Sequence, residues 1–223
     1  MKSTISQKER KFILEWVLAT TIGFVLGEVF LTRLTFSAIP TNSAQNNIDM
    51  LLIMLNMTSG ITTGILVGIF QWLILRNRLP HILWWISVTP LGMAIGGLIR
   101  ILFIAESRYL LMDIWPVAIW LSRFFYGAAI GLSQWFVLRQ SLLKTWLWVI
   151  TNGFGWALAI TIGEDFIRRI FYPLAGVYYL RSPYSEVAIY GTVGILVGII
   201  TGLLLLWLLR KKDLIQKSAQ QSV

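Results

Sequence analysis

The stretch GIFQWLILR at residues 68–76 returns as GLSQWFVLR at residues 131–139. Gly, Gln, Trp, Leu and Arg keep the same spacing in the two copies, which lie 63 residues apart. In both copies an apolar run ends at the arginine. A spacing kept this closely indicates that one helical unit is used more than once along the chain.

The rest of the chain is unusually apolar. Hydrophobic residues make up 57% of its 223 residues and charged residues only 13%, whereas soluble domains carry about a quarter charged residues. The runs 50–75, 82–104 and 186–209 are each long enough to cross a bilayer, which takes ~20 residues. Since the tails and loops are short, we predict an all-α integral membrane protein with a single transmembrane domain over residues 1–223.

Six transmembrane helices are predicted. The spans are 12–33, 50–75, 82–104, 114–138, 146–168 and 186–209. They group into three helical hairpins, with units at about 12–78, 82–142 and 146–212. Because each unit has two spans, every unit enters the membrane from the same side, as parallel repeats related by an axis along the membrane normal.

Lysine and arginine predict the orientation. With both termini in the cytoplasm, that side receives twelve of these residues and the outside five, which agrees with the positive-inside rule. We therefore expect a bacterial inner (cell) membrane protein, with the thylakoid membrane as the alternative. Eight tryptophans fall near the cytoplasmic interface, where we expect amphipathic rings to anchor the helices. They are Trp16, Trp72, Trp84, Trp85, Trp135, Trp146, Trp148 and Trp207.

Each even-numbered span carries two glycines four residues apart. They are Gly64 and Gly68, Gly127 and Gly131, and Gly194 and Gly198. This spacing lets helices approach closely in lipid, where hydrophobic burial cannot drive their association. Odd-numbered spans place a threonine or asparagine on a similar stripe, so we predict an interhelical polar layer formed by Thr20, Gln71, Thr89, Gln134, Asn152 and Thr201. We expect the glutamines and Thr201 to bond to the odd-span residues as ordinary helix packing, with a substrate site as the alternative.

Ionisable residues inside the spans form the second candidate site. The predicted charge cluster consists of Glu28, Arg100, Arg123, Glu164 and Arg168. At 1.5 Å per residue, the four within the spans lie ~18–24 Å from the cytoplasmic interface, in the outer leaflet. Buried charges are rare in membranes and mark functional sites by default. One interpretation is a neutral ion-pair cluster that ties the hairpins together, and the other is an outward-opening substrate or ion site, or a proton relay.

Several chemistries are excluded by residue type. The chain has no cysteine and one histidine, so thiolate and histidine-cluster metal sites are not expected. Phosphate-binding glycine loops, HExxH and GxSxG motifs do not occur in the sequence. We expect no cofactor, no metal and no catalytic residue. The net charge of +9 is explained by membrane orientation, and no nucleic-acid partner is expected.

The paired GxxQWxxLR segments resemble a group of uncharacterised multi-pass membrane proteins that is frequent in cyanobacteria. The resemblance covers about residues 16–210, and the sixth span departs from the pattern because Thr201 stands where glutamine is expected. The resemblance implies a multi-pass topology and a bacterial source, and it assigns no activity.

The first functional hypothesis is a non-enzymatic scaffold, accessory or partner-binding subunit in the lipid bilayer. Its partner would be another membrane protein or a second copy of the chain, and the outer loops 35–49 and 171–185 are candidate contact segments. The alternative is a small-solute or ion transporter that uses the charge cluster. An intramembrane enzyme with Glu164 and Asp165 as acid groups ranks third.

Overall fold

The computed structural model describes residues 6–38, 48–110, 115–166, 169–170 and 183–221. These residues form helices and turns without a strand, which confirms the all-α prediction. The helices are α1 (Gln7–Ala38), α2 (Ile48–Leu75), α3 (Trp85–Leu110), α4 (Trp115–Leu138), α5 (Trp146–Ile160) and α6 (Pro183–Gln221). A 3₁₀ turn at Ile82–Trp84 precedes α3, and α5 continues as a π-helix over Thr161–Phe166.

Five helices in the described part of the chain are long and apolar enough to cross a membrane. The qualifying segments are Gln7–Val29, Met57–Leu75, Ile82–Phe103, Trp146–Asp165 and Tyr184–Lys212. The span predicted at 114–138 is a helix, but α4 is not among the five. Its 24 residues include Ser122, Arg123, Ser133 and Gln134, all buried, and these polar side chains lower its mean hydropathy.

The six helices form a closed ring. Each helix packs against its neighbours in sequence, and α6 packs against α1 as well as α5. An ion pair between Arg210 of α6 and Glu9 of α1 lies at one end of the interface between these two helices. The Arg78 guanidinium lies 4.6 Å from the centre of the Phe12 ring, so the turn after α2 also contacts α1.

Glycines bring the helix backbones of the ring into direct contact. A methyl group on Gly198 of α6 would lie 2.9 Å from Val17 Cα of α1. One on Gly131 of α4 would lie 2.9 Å from Val149 Cα of α5. Side chains larger than hydrogen would therefore push the helices apart, which explains why the glycines recur at this spacing.

The two turns that join α2 to α3 and α4 to α5 share several backbone features. Leu79 N donates to Leu75 O at 3.1 Å, and 63 residues later Leu142 N donates to Leu138 O at 2.9 Å. His81 and Lys144, also 63 residues apart, both adopt the left-handed region with φ of 55° and 57°. Positive φ is uncommon outside glycine, and here it occurs at two positions with the same spacing as the repeated sequence segments.

Candidate functional site

Three tryptophans from the odd-numbered helices meet inside the ring. Trp16, Trp85 and Trp148 are at most 1% exposed, and their ring centroids lie 6.0–6.3 Å apart, with the rings edge to face. The prediction that these three anchor at the membrane interface was therefore wrong. They lie on the same helix stripe as the packing glycines and polar residues, and that stripe faces the interior.

Gln71 of α2 joins α1 to α3. Its amide nitrogen donates a hydrogen bond to Thr20 Oγ1 at 2.9 Å, and its amide oxygen accepts one from Trp85 Nε1 at 3.0 Å. The Thr20 hydroxyl donates in turn to the Trp16 carbonyl at 2.9 Å. One side chain thus links a threonine on one neighbouring helix to a tryptophan on the other.

Gln134 of α4 makes the same set of contacts between α3 and α5. It donates to Thr89 Oγ1 at 3.1 Å and accepts from Trp148 Nε1 at 3.0 Å. Thr89 donates to the Trp85 carbonyl at 2.8 Å. Both glutamines are therefore placed beside the threonines that the sequence paired with them.

The polar layer differs where α6 lies between α5 and α1. Thr201 accepts from Trp16 Nε1 at 3.0 Å and donates to the Val197 carbonyl at 2.6 Å. Asn152 uses its amide nitrogen for the Trp148 carbonyl, at 2.9 Å. The expected bond between Thr201 and Asn152 is not among the contacts of the described residues, because a threonine side chain is too short to bridge two helices as glutamine does.

The polar layer is neutral and almost wholly buried. Its six residues are between 0% and 4% exposed. A carboxamide or hydroxyl can orient a neighbour by hydrogen bonding, but it cannot exchange a proton near neutral pH. The layer can therefore fix the register of the helices, and it offers no acid or base for catalysis.

The charge cluster centres on Arg123 of α4. Its two terminal nitrogens bind both carboxylate oxygens of Asp165 at 2.8 and 2.9 Å, and Nη1 also donates to Thr161 Oγ1 at 3.0 Å. Such bidentate arginine–carboxylate pairs are among the stronger hydrogen-bonded contacts in proteins. With Arg123 only 6% exposed, this pair fixes α4 against the π-helix.

Glu164 connects a second arginine to the cluster. Its carboxylate lies 3.2 Å from Arg100 Nη2 and 3.7 Å from Arg123 Nη2. Two arginines from α3 and α4 thus face two acids on the π-helix, and the formal charges balance. Arg168, the fifth predicted member, lies outside the described residues.

Glu28 of α1 contacts two hydroxyls of α2. Its carboxylate accepts from Ser59 Oγ at 3.3 Å and from Thr63 Oγ1 at 3.2 Å. These bonds tie α1 to α2 in the region where α3 carries Arg100. Ser59 and Thr63 were not among the predicted site residues.

The π-helix carries Glu164 and Asp165, the two acids that contact Arg123. A span that was predicted as a single helix over 146–168 changes from α to π geometry at Thr161. In a regular α-helix, consecutive side chains point about 100° apart. Glu164 and Asp165 both lie on the π turn and both contact Arg123, and π turns frequently occur at functional sites.

Two cavities adjoin these sites. A central cavity of about 10 Å³ is enclosed by the polar layer and by apolar side chains that include Met93 and Trp156. A second cavity of about 500 Å³ is lined by Thr161, Ile162, Asp165 and Arg169 among the described residues. The first adjoins the tryptophan triangle, and the second adjoins the charge cluster.

Within the described ranges, no group of three acidic, histidine or cysteine side chains could hold a metal ion.

The chain matches no protein-family model, no curated protein and no solved structure.

Proposed function

We propose that the protein is an integral membrane protein whose ring of helices crosses the bilayer. The distribution of side chains supports this. Leu14, Leu18 and Leu26 of α1 are 48–59% exposed, whereas Gln71 and Gln134 are at most 4% exposed. An exposed apolar surface around an interior that holds the polar side chains suits a lipid environment, and in water a large contiguous apolar patch would promote association.

The proposed architecture is three helical hairpins, α1–α2, α3–α4 and α5–α6, around a pseudo-threefold axis. Three observations support it: the repeated segments 68–76 and 131–139, the matching turns at His81 and Lys144, and the matching bonds of the two glutamines. The tryptophan triangle takes one ring from each hairpin.

For this fold we propose a non-enzymatic scaffold or partner-binding subunit. The observation that carries the proposal is the filled axis: the tryptophan triangle closes it, and the adjoining cavity has a volume of only about 10 Å³. Neither Glu28 nor Arg123 lines that cavity. A packed axis and paired charges suit a rigid body that presents its surface to other membrane components, either a second protein or another copy of the chain.

Affinity purification in mild detergent tests this function. We expect a tagged chain expressed at native level to co-purify with one protein, or with an untagged second copy, at a fixed stoichiometry. The tag at the opposite terminus is the matched control, because a real complex survives moving it. A monodisperse single chain from both preparations, with nothing bound in fixed ratio, would contradict the scaffold.

We further propose a bacterial inner membrane location with both termini in the cytoplasm; the thylakoid membrane is the alternative site. Single cysteines at Asn46 and Ser218 give the test, since the chain has no native cysteine. In intact cells an impermeant thiol reagent should label Asn46→Cys and spare Ser218→Cys. The reverse pattern would contradict the orientation.

The second candidate is a small-solute or ion transporter, and the larger cavity favours it. Its volume of about 500 Å³ falls in the range of ~300–1,000 Å³ that is usual for ligand sites. Asp165 and Arg169 line it with opposite charges. A small charged or zwitterionic solute would fit this lining.

Uptake into proteoliposomes separates the two functions. A transporter should accumulate at least one solute from a panel of ions and small zwitterions, and Arg169→Gln should reduce uptake while leaving thermal stability unchanged. The scaffold hypothesis predicts uptake no greater than in protein-free vesicles for the whole panel. The Arg169→Gln variant is suited to this test because the side chain is exposed.

A further inference from the structure

The three proposed hairpins do not complete the polar layer equally. Gln71 and Gln134 each span two helices, and Thr201 takes the corresponding place on α6 with a shorter side chain. By analogy with Gln71 and Gln134, a glutamine at position 201 would reach toward Asn152 on α5. Thr201 and Asn152 both line the central cavity.

The size of this cavity decides what it can hold. The volume of the cavity is about 10 Å³, and a site for one water molecule needs ~10–15 Å³. The cavity therefore has room for one water molecule and excludes a larger solute. Cavities with polar walls hold water, whereas purely apolar ones stay dry.

A buried donor at the cavity has no protein partner. Trp156 lines the cavity and is 2% exposed, and its indole N–H makes no hydrogen bond in the described part of the chain. Leaving such a group unpaired is unfavourable, because a buried donor has lost its hydrogen bonds to water. Trp16, Trp85 and Trp148, by contrast, each donate to a polar-layer oxygen at 3.0 Å.

Acceptors for a bridging molecule are present on the same wall. Thr201 Oγ1 accepts one hydrogen bond from Trp16 and donates one to Val197, which leaves one lone pair. The Asn152 amide nitrogen donates a hydrogen bond to the Trp148 carbonyl. Its amide oxygen can therefore accept one from a bridging molecule. A water molecule that accepts one bond and donates two would satisfy all three groups.

We propose that the central cavity is a binding site for a single water molecule, which takes the place of the missing third glutamine. It accepts the Trp156 indole N–H and donates to Asn152 Oδ1 and Thr201 Oγ1. In this way the hydrogen-bonded link between α5 and α6 is completed through water, as Gln71 and Gln134 complete the other two directly.

Water contacts to the indole protons test the proposal. In protein with ¹⁵N-labelled tryptophan in micelles, rotating-frame experiments should give a dipolar cross-peak between water and the Trp156 indole proton. The sign of the cross-peak separates it from chemical exchange. Trp156→Phe assigns the peak by removing it, and the Trp85 indole, which is bonded to Gln71 at 3.0 Å, is the internal control that should show no water contact.

Thr201→Gln provides the matched variant. Its amide would extend into the cavity toward Asn152, so the Trp156 water cross-peak should disappear while the Trp156 resonance remains. A cross-peak that persists in Thr201→Gln would overturn the assigned place of the water. Absence of any water contact to Trp156 in the wild-type protein would overturn the proposal by itself, whether or not the variant folds.

Discussion

Replacing Gln71 with leucine should lower the free energy of unfolding of the protein. The glutamine makes two interhelical hydrogen bonds, at 2.9 Å to Thr20 and 3.0 Å to Trp85. Interhelical bonds in membranes contribute roughly 0.6–1.7 kcal/mol each, so losing both lowers the free energy of unfolding by about 1–3 kcal/mol. The sequence pattern predicts only the bond between Gln71 and Thr20, and would therefore suggest a smaller loss of stability.

Gln134 lies at the matching position of the repeated segment, so the same measurement can be made a second time in this chain. Gln134 makes equivalent bonds at 3.1 and 3.0 Å, so Gln134→Leu should cause the same loss within about 0.5 kcal/mol. Gln140→Leu is the control, because that side chain is exposed and bonds only to a carbonyl of its own helix end. Its effect should stay within about 0.5 kcal/mol of zero.

The assay is reversible unfolding in mixed micelles with increasing dodecyl sulfate, followed by circular dichroism. Equal losses for Gln71→Leu and Gln134→Leu, with none for Gln140→Leu, would support the bridging role. Wild-type stability in both core variants would refute it, because two buried bonds cannot be lost without a measurable change. A loss in one core variant alone would refute the equivalence of the two hairpins.

Two further predictions use the same assay. Gly198→Ala should cost about 1–3 kcal/mol through overpacking, because its methyl group would lie 2.9 Å from Val17 Cα, while Gly191→Ala should be neutral with its nearest contact at 3.9 Å. Equal stability of these two variants would contradict close packing of α1 and α6. Arg123→Ala should cost about 1–3 kcal/mol, because it removes the bidentate partner of Asp165, whose side chain is 45% exposed, and Arg123→Met with Asp165→Asn should recover much of the loss. A stable Arg123→Ala protein would instead indicate a ligand site.

The helices and part of the polar layer could be predicted because they depend on local spacing. Long apolar runs predict long helices, and a residue on the glycine stripe must face another helix. That reasoning was sufficient to pair Gln71 with Thr20 and Gln134 with Thr89. It failed for Thr201, since spacing specifies which face a residue occupies but not whether its side chain is long enough to reach across.

The tryptophan triangle and the place of Asp165 in the charge cluster were not predicted, for different reasons. Trp16, Trp85 and Trp148 lie near helix ends, where interfacial anchoring is the usual role, although their shared stripe with the glycines was a signal of burial. Asp165 was named with Glu164 only as an acid group of the enzyme hypothesis and was left out of the charge cluster, and no sequence pattern marked the π turn. Ring closure was implied only by the predicted axis that relates the three units, and no residue pattern identified the contacts between α1 and α6.

Closure of the ring between α1 and α6 is the central claim of this account. Disulfide formation between Val25→Cys and Gly191→Cys tests it, since Val25 Cγ2 lies 3.9 Å from the Cβ position of residue 191 and the chain has no native cysteine. Leu18→Cys with Leu132→Cys is the matched control, two exposed positions on helices that are not neighbours in the ring. After oxidation in membranes and protease cleavage between α1 and α2, we predict fragments that stay linked until reduced for the first pair and separate fragments for the control. Failure of the first pair to link, or equal linking of both pairs, would contradict the closed ring.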